Sequence, residues 1–386
     1  MFKWKNLTVL IFMFVLILTV GDLWAGGQKE SSPAETKVKI EWWTVSGGDD
    51  AAIEWLNRVK DGFTKENPKI EVVRIDMQDE DFKVGLKSAM AAGIPPALWH
   101  SWGGGVLKAY VNEEQVADST WLIKKLGKKV PLGALSTSTW DGKNYGLPYT
   151  SWAGYFFINR DLFSKAGVKI PDVTKDETWS WDEFMAAIET FKKNGITPIA
   201  CGGQEKWELS FYYMYLVDRM GGSELFTKAL NGEPGYSFND PAFIEAENKI
   251  LALVKANAFQ SGFLGAGYND GQRYFFSQKA AMYLNGPWII GALRKTDPNF
   301  PLDFIRFPVV KGAKGDPHMI LGAPQTIYCV SEKMTDEQKG AARQLQEYLA
   351  QDKVILDFVK TVKDLIIFDV PLSPEAYDPI NARIIK

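Results

Sequence analysis

Short apolar runs of strand length alternate with helix-period segments through the first hundred residues, and few folds accept that order. VKIEWW (38–43) alternates as a strand and leads into the turn-forming TVSGGDD. Ile53, Leu56, Val59 and Phe63, with Trp55 beside them, then recur at helical spacing until Asn67-Pro68 stops the helix. IEVVRI (70–75) is the next strand, and Phe82, Leu86 and Met90 mark a second helix ending at Gly93. ALWHSW then runs as a buried strand into Gly103-Gly104-Gly105. Strands alternating with helices predict an α/β fold, a mostly parallel sheet with helices on both faces.

A second unit begins near 142–163, where 145–149 and 153–158 read as strands joined through Thr150, Ser151 and Trp152. In WSWDEFMAAIETFKKNG, Ser180 and Glu183 form a capping box and Gly195 is a natural residue to close the helix. TPIAC is a strand followed by the loop 202–207, a helix to Gly221-Gly222, a helix from 241 to about 257, the loop GFLGAGYNDG and a helix over 272–279. Two further strands, 302–310 and 319–331, flank a Gly-rich hairpin before the helices 336–351 and 354–362. The βα order thus returns after a long excursion. One domain is expected from pieces before about 150 and after about 325, with another inserted between them.

The amino terminus is expected to be removed. Lys3 and Lys5 precede an apolar run over 7–20, and Leu23-Trp24-Ala25 offers a small residue before a cut, the pattern of a secretory signal peptide cleaved after Ala25. A fourteen-residue apolar run is short of the ~20 residues that span a bilayer. No Cys lies near the cut, so a lipid anchor there is not expected. Cleavage would take the net charge from −3 to −4, too acidic for a nucleic-acid partner. Cys201 and Cys329 sit in short apolar runs and read as buried thiols, and His100 and His318 give no zinc cluster, so neither metal nor cofactor is expected.

Aromatic residues are the compositional outlier. Of fourteen Trp, twelve follow the expected cut, several in Gly-rich or turn-rich stretches. In AAMYLNGPWI (280–289) an apolar strand is ended by Asn285, Gly286 and Pro287, which puts Trp288 just past its carboxyl end, where ligands of open α/β sheets sit. Trp288 is either a core residue after a tight turn or the floor of a binding cleft.

Several of these stretches resemble the bacterial family 1 extracellular solute-binding proteins, the sugar-capturing receptors of ABC importers that include maltose-binding protein. The likeness runs in order through KIEWWT, GLKSAMAAGIPPALWHSWGGG, DGKNYGLPY…INRDLFSKAGV, TWSWDEF, NGITPIACGG and AAMYLNGPW. It implies two α/β lobes joined by a multi-segment hinge, with crossings near 148–153, 322–326 and 368–373. The first lobe is then expected to comprise 26–150 plus 325–370, and the second 151–324 plus 371–386. Family members usually continue for several tens of residues as helices on the second lobe, whereas this sequence stops at Lys386.

A sugar ring has apolar C–H faces and an equator of hydroxyls, so its site needs flat aromatic faces with amides or carboxylates at the edge. Loops at the expected strand ends offer Asp49, Trp102, Tyr149, Trp152, Glu205, Lys206, Trp207, Asn285 and Gln325 beside Trp288. The resemblance implies that Trp288 is the stacking residue of the NGPW motif. Loop packing for Trp102 and Trp207, and plain solvation for Asp49, Glu205 and Gln325, are the competing assignments. Asp218-Arg219 reads as an ion pair on a helix. No G-x-S-x-G, H-E-x-x-H or P-loop is present. The rival function is a secreted glycoside hydrolase, with Asp49 and Glu205 as a carboxylate pair roughly 5–10 Å apart. A receptor for a peptide or polyol is a third class. The expected protein is an exported, monomeric, periplasmic carbohydrate receptor that hands an oligosaccharide to the transmembrane subunits of an ABC permease.

Overall fold

A computed structural model describes residues 37–46 and 49–385, so the expected leader and its cut at Ala25 lie outside the described residues. Two sheets organise the chain into two lobes. In the first, Val38–Val45 lies between Ile70–Met77 and Leu98–Ser101, parallel to both. Ile327–Val330 then joins Leu98–Ser101 antiparallel, and Leu147–Pro148 pairs antiparallel with it at the edge. Parallel pairing is confined to the opening βαβ units, because the later strands enter from the other lobe through short connections that need no crossover helix.

Side chains of successive strand residues point to opposite faces, and here both faces are covered. Ile40, Trp42, Leu98 and Val330 enter one core, with Leu345 and Ile355 from the helices Asp336–Leu349 and Asp352–Thr361. Trp99, Ile327 and Cys329 enter the opposite one with Phe82 and Leu86 from the helix Asp79–Ala91. Trp55 is fully buried, and its indole N–H donates to the Val354 carbonyl at 3.2 Å. Its helix, Asp50–Glu66, is capped by Asp49, whose carboxylate accepts from the Ala51 N–H at 2.8 Å.

In the second sheet the order is Leu302–Ile305, Tyr155–Asn159, Ala280–Asn285, Thr197–Ala200. Only its last pair is parallel. Phe156, Ile158, Met282 and Leu284 face one core, while Tyr155, Phe157 and Tyr283 face another. The capping box of the helix Trp181–Lys193 forms as expected, with Ser180 N–H to Glu183 at 2.7 Å and Glu183 N–H to Ser180 Oγ at 3.3 Å. Both cysteines are free and buried. Asp218 and Arg219 form a buried ion pair at 2.8 Å, and the guanidinium also donates to the carbonyls of Asp316 and Met319, tying down the loop 311–321; the expected hairpin is not formed, because the strands on either side pair with other strands.

The helix expected over 272–279 is observed as Tyr268–Phe276, one turn earlier. Asp270 accepts from the Gly267 N–H at 3.3 Å, an end cap inside a stretch whose glycines read as loop. Three segments cross between the lobes. Ser151–Ala153 pairs antiparallel with Gly322–Pro324, and Gln325 N–H reaches the Thr150 carbonyl at 2.8 Å. The third segment runs beside this pair, with Ser151 N–H donating to the Leu365 carbonyl at 3.1 Å and Ile367 N–H to that of Tyr149 at 3.2 Å, but the chain reaches the second lobe only after Tyr377, later than the expected 368–373. Val370, Leu372, Ala376 and Tyr377 then pack on the first lobe, and Ile380, in the helix Pro379–Ile384, packs on the second.

Candidate functional site

The crossings floor a cleft of about 480 Å³ whose walls come from both lobes. The second-lobe wall is aromatic. Trp288 and Trp207 lie with ring centres 6.2 Å apart, Trp152 is 6.1 Å from Trp288, and Trp152 stacks on Phe211 at 4.6 Å with 19° between the planes. Tyr268 stands 5.3 Å from Trp207. Opposite, Trp102 packs edge-on against His100 at 4.6 Å and Phe82 at 5.7 Å. Trp55, Tyr328 and Phe358 reach the cleft from the first core.

Backbone close approach sets this wall. A Cβ on Gly202 would fall 2.7 Å from both the Gly267 carbonyl oxygen and the Tyr268 Cα, so glycine lets the Tyr268 helix pack against the turn before Trp207. Beneath the indoles lies Glu208, buried, which accepts from the Gly202 N–H, the Tyr283 hydroxyl and Asn285 Nδ2, the last at 2.8 Å. Burial outweighs these hydrogen bonds and pushes its carboxyl up to about 8. One carboxylic acid therefore ties the helix of Trp207 to the turn at Gly202 and to the strand that leads into Trp288.

Burial also dominates the titratable groups of the cleft. It lowers His100 to about 3, leaving a neutral imidazole, and raises Asp364 to about 7 with a further push from the Asp49 charge. Asp49 and Asp79 are raised by burial as well. Lys83 is engaged by Asp79 and Glu80, each at 2.6 Å. Three buried polar atoms on the lining residues have no partner among the described residues: His100 Nε2, Trp207 Nε1 and Gln325 Oε1. An unpaired buried polar atom costs about 1–3 kcal/mol, so these three are the unsatisfied groups among the residues that line the cleft.

Of the residues expected at the site, Trp288, Trp207, Trp102, Trp152, Asp49 and Gln325 line this one cleft. The other four are placed elsewhere. Tyr149 is sealed in the first core between Trp55, Tyr328, Phe358 and Phe368. Asn285 is buried on Glu208. Glu205 caps the Tyr268 helix, accepting its N–H at 2.9 Å. Lys206 is exposed at positive φ immediately before the helix Trp207–Gly221. The pairing of Asp49 with Glu205 across a bond is not formed, since Glu205 is absent from the lining. His100, Tyr268, Gln272 and Asp364 line the cleft without having been singled out. A His directly before Ser-Trp-Gly at a strand end was the available signal for the first.

Two α/β lobes, three crossing segments and one aromatic cleft between them define a two-lobed solute receptor. The chain belongs to the bacterial extracellular solute-binding proteins, whose family profile matches residues 48–354. It is 27% identical over 319 residues to the multiple sugar-binding protein of Streptococcus mutans, covering 79% of this chain and 70% of that one. Among solved structures it is similar to one from a study of xylan utilization by the thermophilic bacterium Caldanaerobius polysaccharolyticus, at 29% identity and TM-score 0.81 over 90% of this chain and 87% of that one. A chitin oligosaccharide binding protein is similar at 25% identity and TM-score 0.82, over 90% and 85% of the two chains.

Proposed function

We propose that this protein captures an uncharged carbohydrate, an oligosaccharide, between its lobes and delivers it to the transmembrane subunits of an ABC permease. The observation that carries the reading is the cleft itself: indoles on both walls, with buried, unpartnered polar atoms of His100, Trp207 and Gln325 around them. Flat aromatic faces suit the C–H faces of pyranoses, and the single orphan atoms suit their hydroxyls. The one lysine of the lining is paired, which leaves a sugar acid or phosphate without a counter-charge. The names of the Streptococcus mutans relative and the chitin oligosaccharide receptor point the same way.

A ligand touching both walls favours the closed arrangement over an open one, and a permease can read that difference. In this reading the protein is exported, cut near Ala25, held in the periplasm and monomeric. The lobes divide at the crossings, with the first lobe taking the chain up to 150 plus 325–377 and the second 151–324 plus 378–385, since Leu372, Ala376 and Tyr377 pack with the first core and Ile380 with the second. Titration calorimetry with a panel of neutral mono- and oligosaccharides, alongside uronic acids and sugar phosphates, tests the reading. Heat released by a neutral sugar, and lost in Trp288→Ala, is the expected result. Binding of the acids alone, or release of reducing sugar from an oligosaccharide, would reject it.

A further inference from the structure

Besides the crossing segments, the lobes meet at one turn of the first lobe. Residues 362–365 follow the helix Asp352–Thr361 and lead into the segment that runs beside Ser151. The second lobe grips this turn from two sides. Gly291, on the helix Ile289–Thr296, lies against the Val362 carbonyl. Asn381, fully buried on the helix Pro379–Ile384, donates its Nδ2 to the Lys363 carbonyl. We propose that Gly291 and Asn381 are positioning residues that seat the second lobe on this turn as a bearing, setting the gap between the lobes before any ligand is bound. The proposal rests on the receptor reading only in that the gap matters for binding; it holds for whatever ligand the cleft takes.

The glycine carries the argument. Gly291 is buried in ordinary right-handed helix, where glycine is a poor choice and no backbone angle asks for it. What excludes a side chain is the other lobe. A Cβ on Gly291 would fall 2.4 Å from the Val362 oxygen, 3.4 Å from its carbon and 3.8 Å from Asp49 Oδ2. Carbon and carbonyl oxygen settle at roughly 3.3 Å, so a methyl group would drive the lobes apart by about 1 Å at this point. Lys295, one turn along the same helix face, pairs with Asp50 at 3.1 Å, so two successive turns of this helix rest on the first lobe.

Both halves of the bearing are held firmly. In the turn, Val362 N–H closes on the Phe358 carbonyl at 2.7 Å, Lys363 stands at φ 58°, and the Leu365 carbonyl accepts from Ser151 N–H at 3.1 Å. Across from it, ion pairs of Arg294 with Asp378 at 3.0 Å and of Arg383 with Asp303 at 2.8 Å fix the helix of Asn381 to the second lobe. The contact is also wired to the cleft. Asp364, in the turn, lines the cleft with its carboxyl accepting from the Leu365 N–H at 2.7 Å, and Trp288 caps the helix that carries Gly291. Neither Gly291 nor Asn381 lines the cleft, so a change at either one alters the spacing of its walls and none of its surface.

Fluorescence transfer between dyes on the two lobes of the full chain, together with X-ray scattering, tests this without ligand. Gly291→Ala and Gly291→Val should widen the gap in that order, and the melting temperature of Gly291→Ala should stay level or rise, since alanine favours a helix. Asn381→Leu, which keeps the bulk and removes the donor, should widen it too. Gly340→Ala is the control: it lies in the helix Asp336–Leu349 with nothing within 4 Å of its Cβ position, and should leave the gap unchanged. Xylobiose, chitobiose, maltose and raffinose serve as probes, and whichever binds the parent should leave Gly291→Val about tenfold faster. A parental gap in unliganded Gly291→Val, or a widened gap with parental release, would overturn the bearing and leave the carbohydrate reading standing. A widened gap in a protein whose parent binds none of these sugars would support the bearing and count against the carbohydrate reading alone.

Discussion

The indole of Trp288 lies directly over Gly286: a methyl group on Gly286 would fall 1.9 Å from Cζ3 and 2.3 Å from Cη2 of the ring. The glycine of the NGPW turn is thus a seat for the indole, and any larger residue must swing it away. Gly286→Ala is therefore expected to weaken sugar binding at least tenfold, about 1.4 kcal/mol. Trp288→Ala should cost about 2 kcal/mol or more, in keeping with a central anchoring Trp. Titration calorimetry on both variants checks this, and unchanged affinity in Trp288→Ala would take the residue out of the site.

Glu208 makes stability depend on pH in a defined direction. Its folded-state carboxyl, raised by burial to about 8, stays protonated where the unfolded chain has already ionised. Its contribution is complete below the ordinary glutamate value of 4.5 and is lost as pH rises to about 8. Asp364, raised to about 7, adds the same sign from 3.8 upward. Glu208→Gln should flatten the fall in denaturant midpoint between pH 5 and 8, and a slope equal to that of the parent would contradict it.

His100 is neutral and buried with Nε2 unpartnered among the described residues. In His100→Phe the ring is kept and the orphan atom removed. Ligand affinity should fall about tenfold while the melting temperature stays level or rises, because a buried unsatisfied polar atom costs about 1–3 kcal/mol. A parallel loss of stability and affinity would mean that the imidazole serves packing only.

Lys295 reaches from the helix Ile289–Thr296 to Asp50 and Glu54 on the helix Asp50–Glu66, at 3.1 and 3.6 Å. Exposed pairs are worth about 0.2–1 kcal/mol and are screened by salt. Lys295→Ala should lower affinity two- to fivefold at low ionic strength and hardly at all in 0.5 M salt, with the melting temperature unchanged. Scattering or fluorescence transfer between the lobes would register a wider gap in the unliganded variant.

How much of this was legible in the sequence follows from the range of each interaction. The capping box at Ser180, the helix of Trp55 and the strand before Asn285 are local patterns and appear as expected. Trp102, Trp152, Trp207 and Trp288 announced themselves as large apolar faces in turn-rich segments. Tyr149 did not separate from them, because its fate was decided by Phe358 and Phe368, some two hundred residues away. Glu205 and Lys206 sit beside Trp207 in sequence but face the neighbouring helix and solvent. Glu208, the hub beneath the wall, carries no mark of its own; its role exists only once Gly202, Tyr283 and Asn285 have converged on it.

The strand Ile327–Val330 sits inside the first sheet, between Leu98–Ser101 and Leu147–Pro148. While the chain is being synthesised, the front half of that lobe must therefore wait, its inner strand edge bare, for a partner made more than two hundred residues later. An unpaired edge invites association with other chains. A nascent chain therefore cannot complete this sheet until residues 327–330, close to its carboxyl end, have been made.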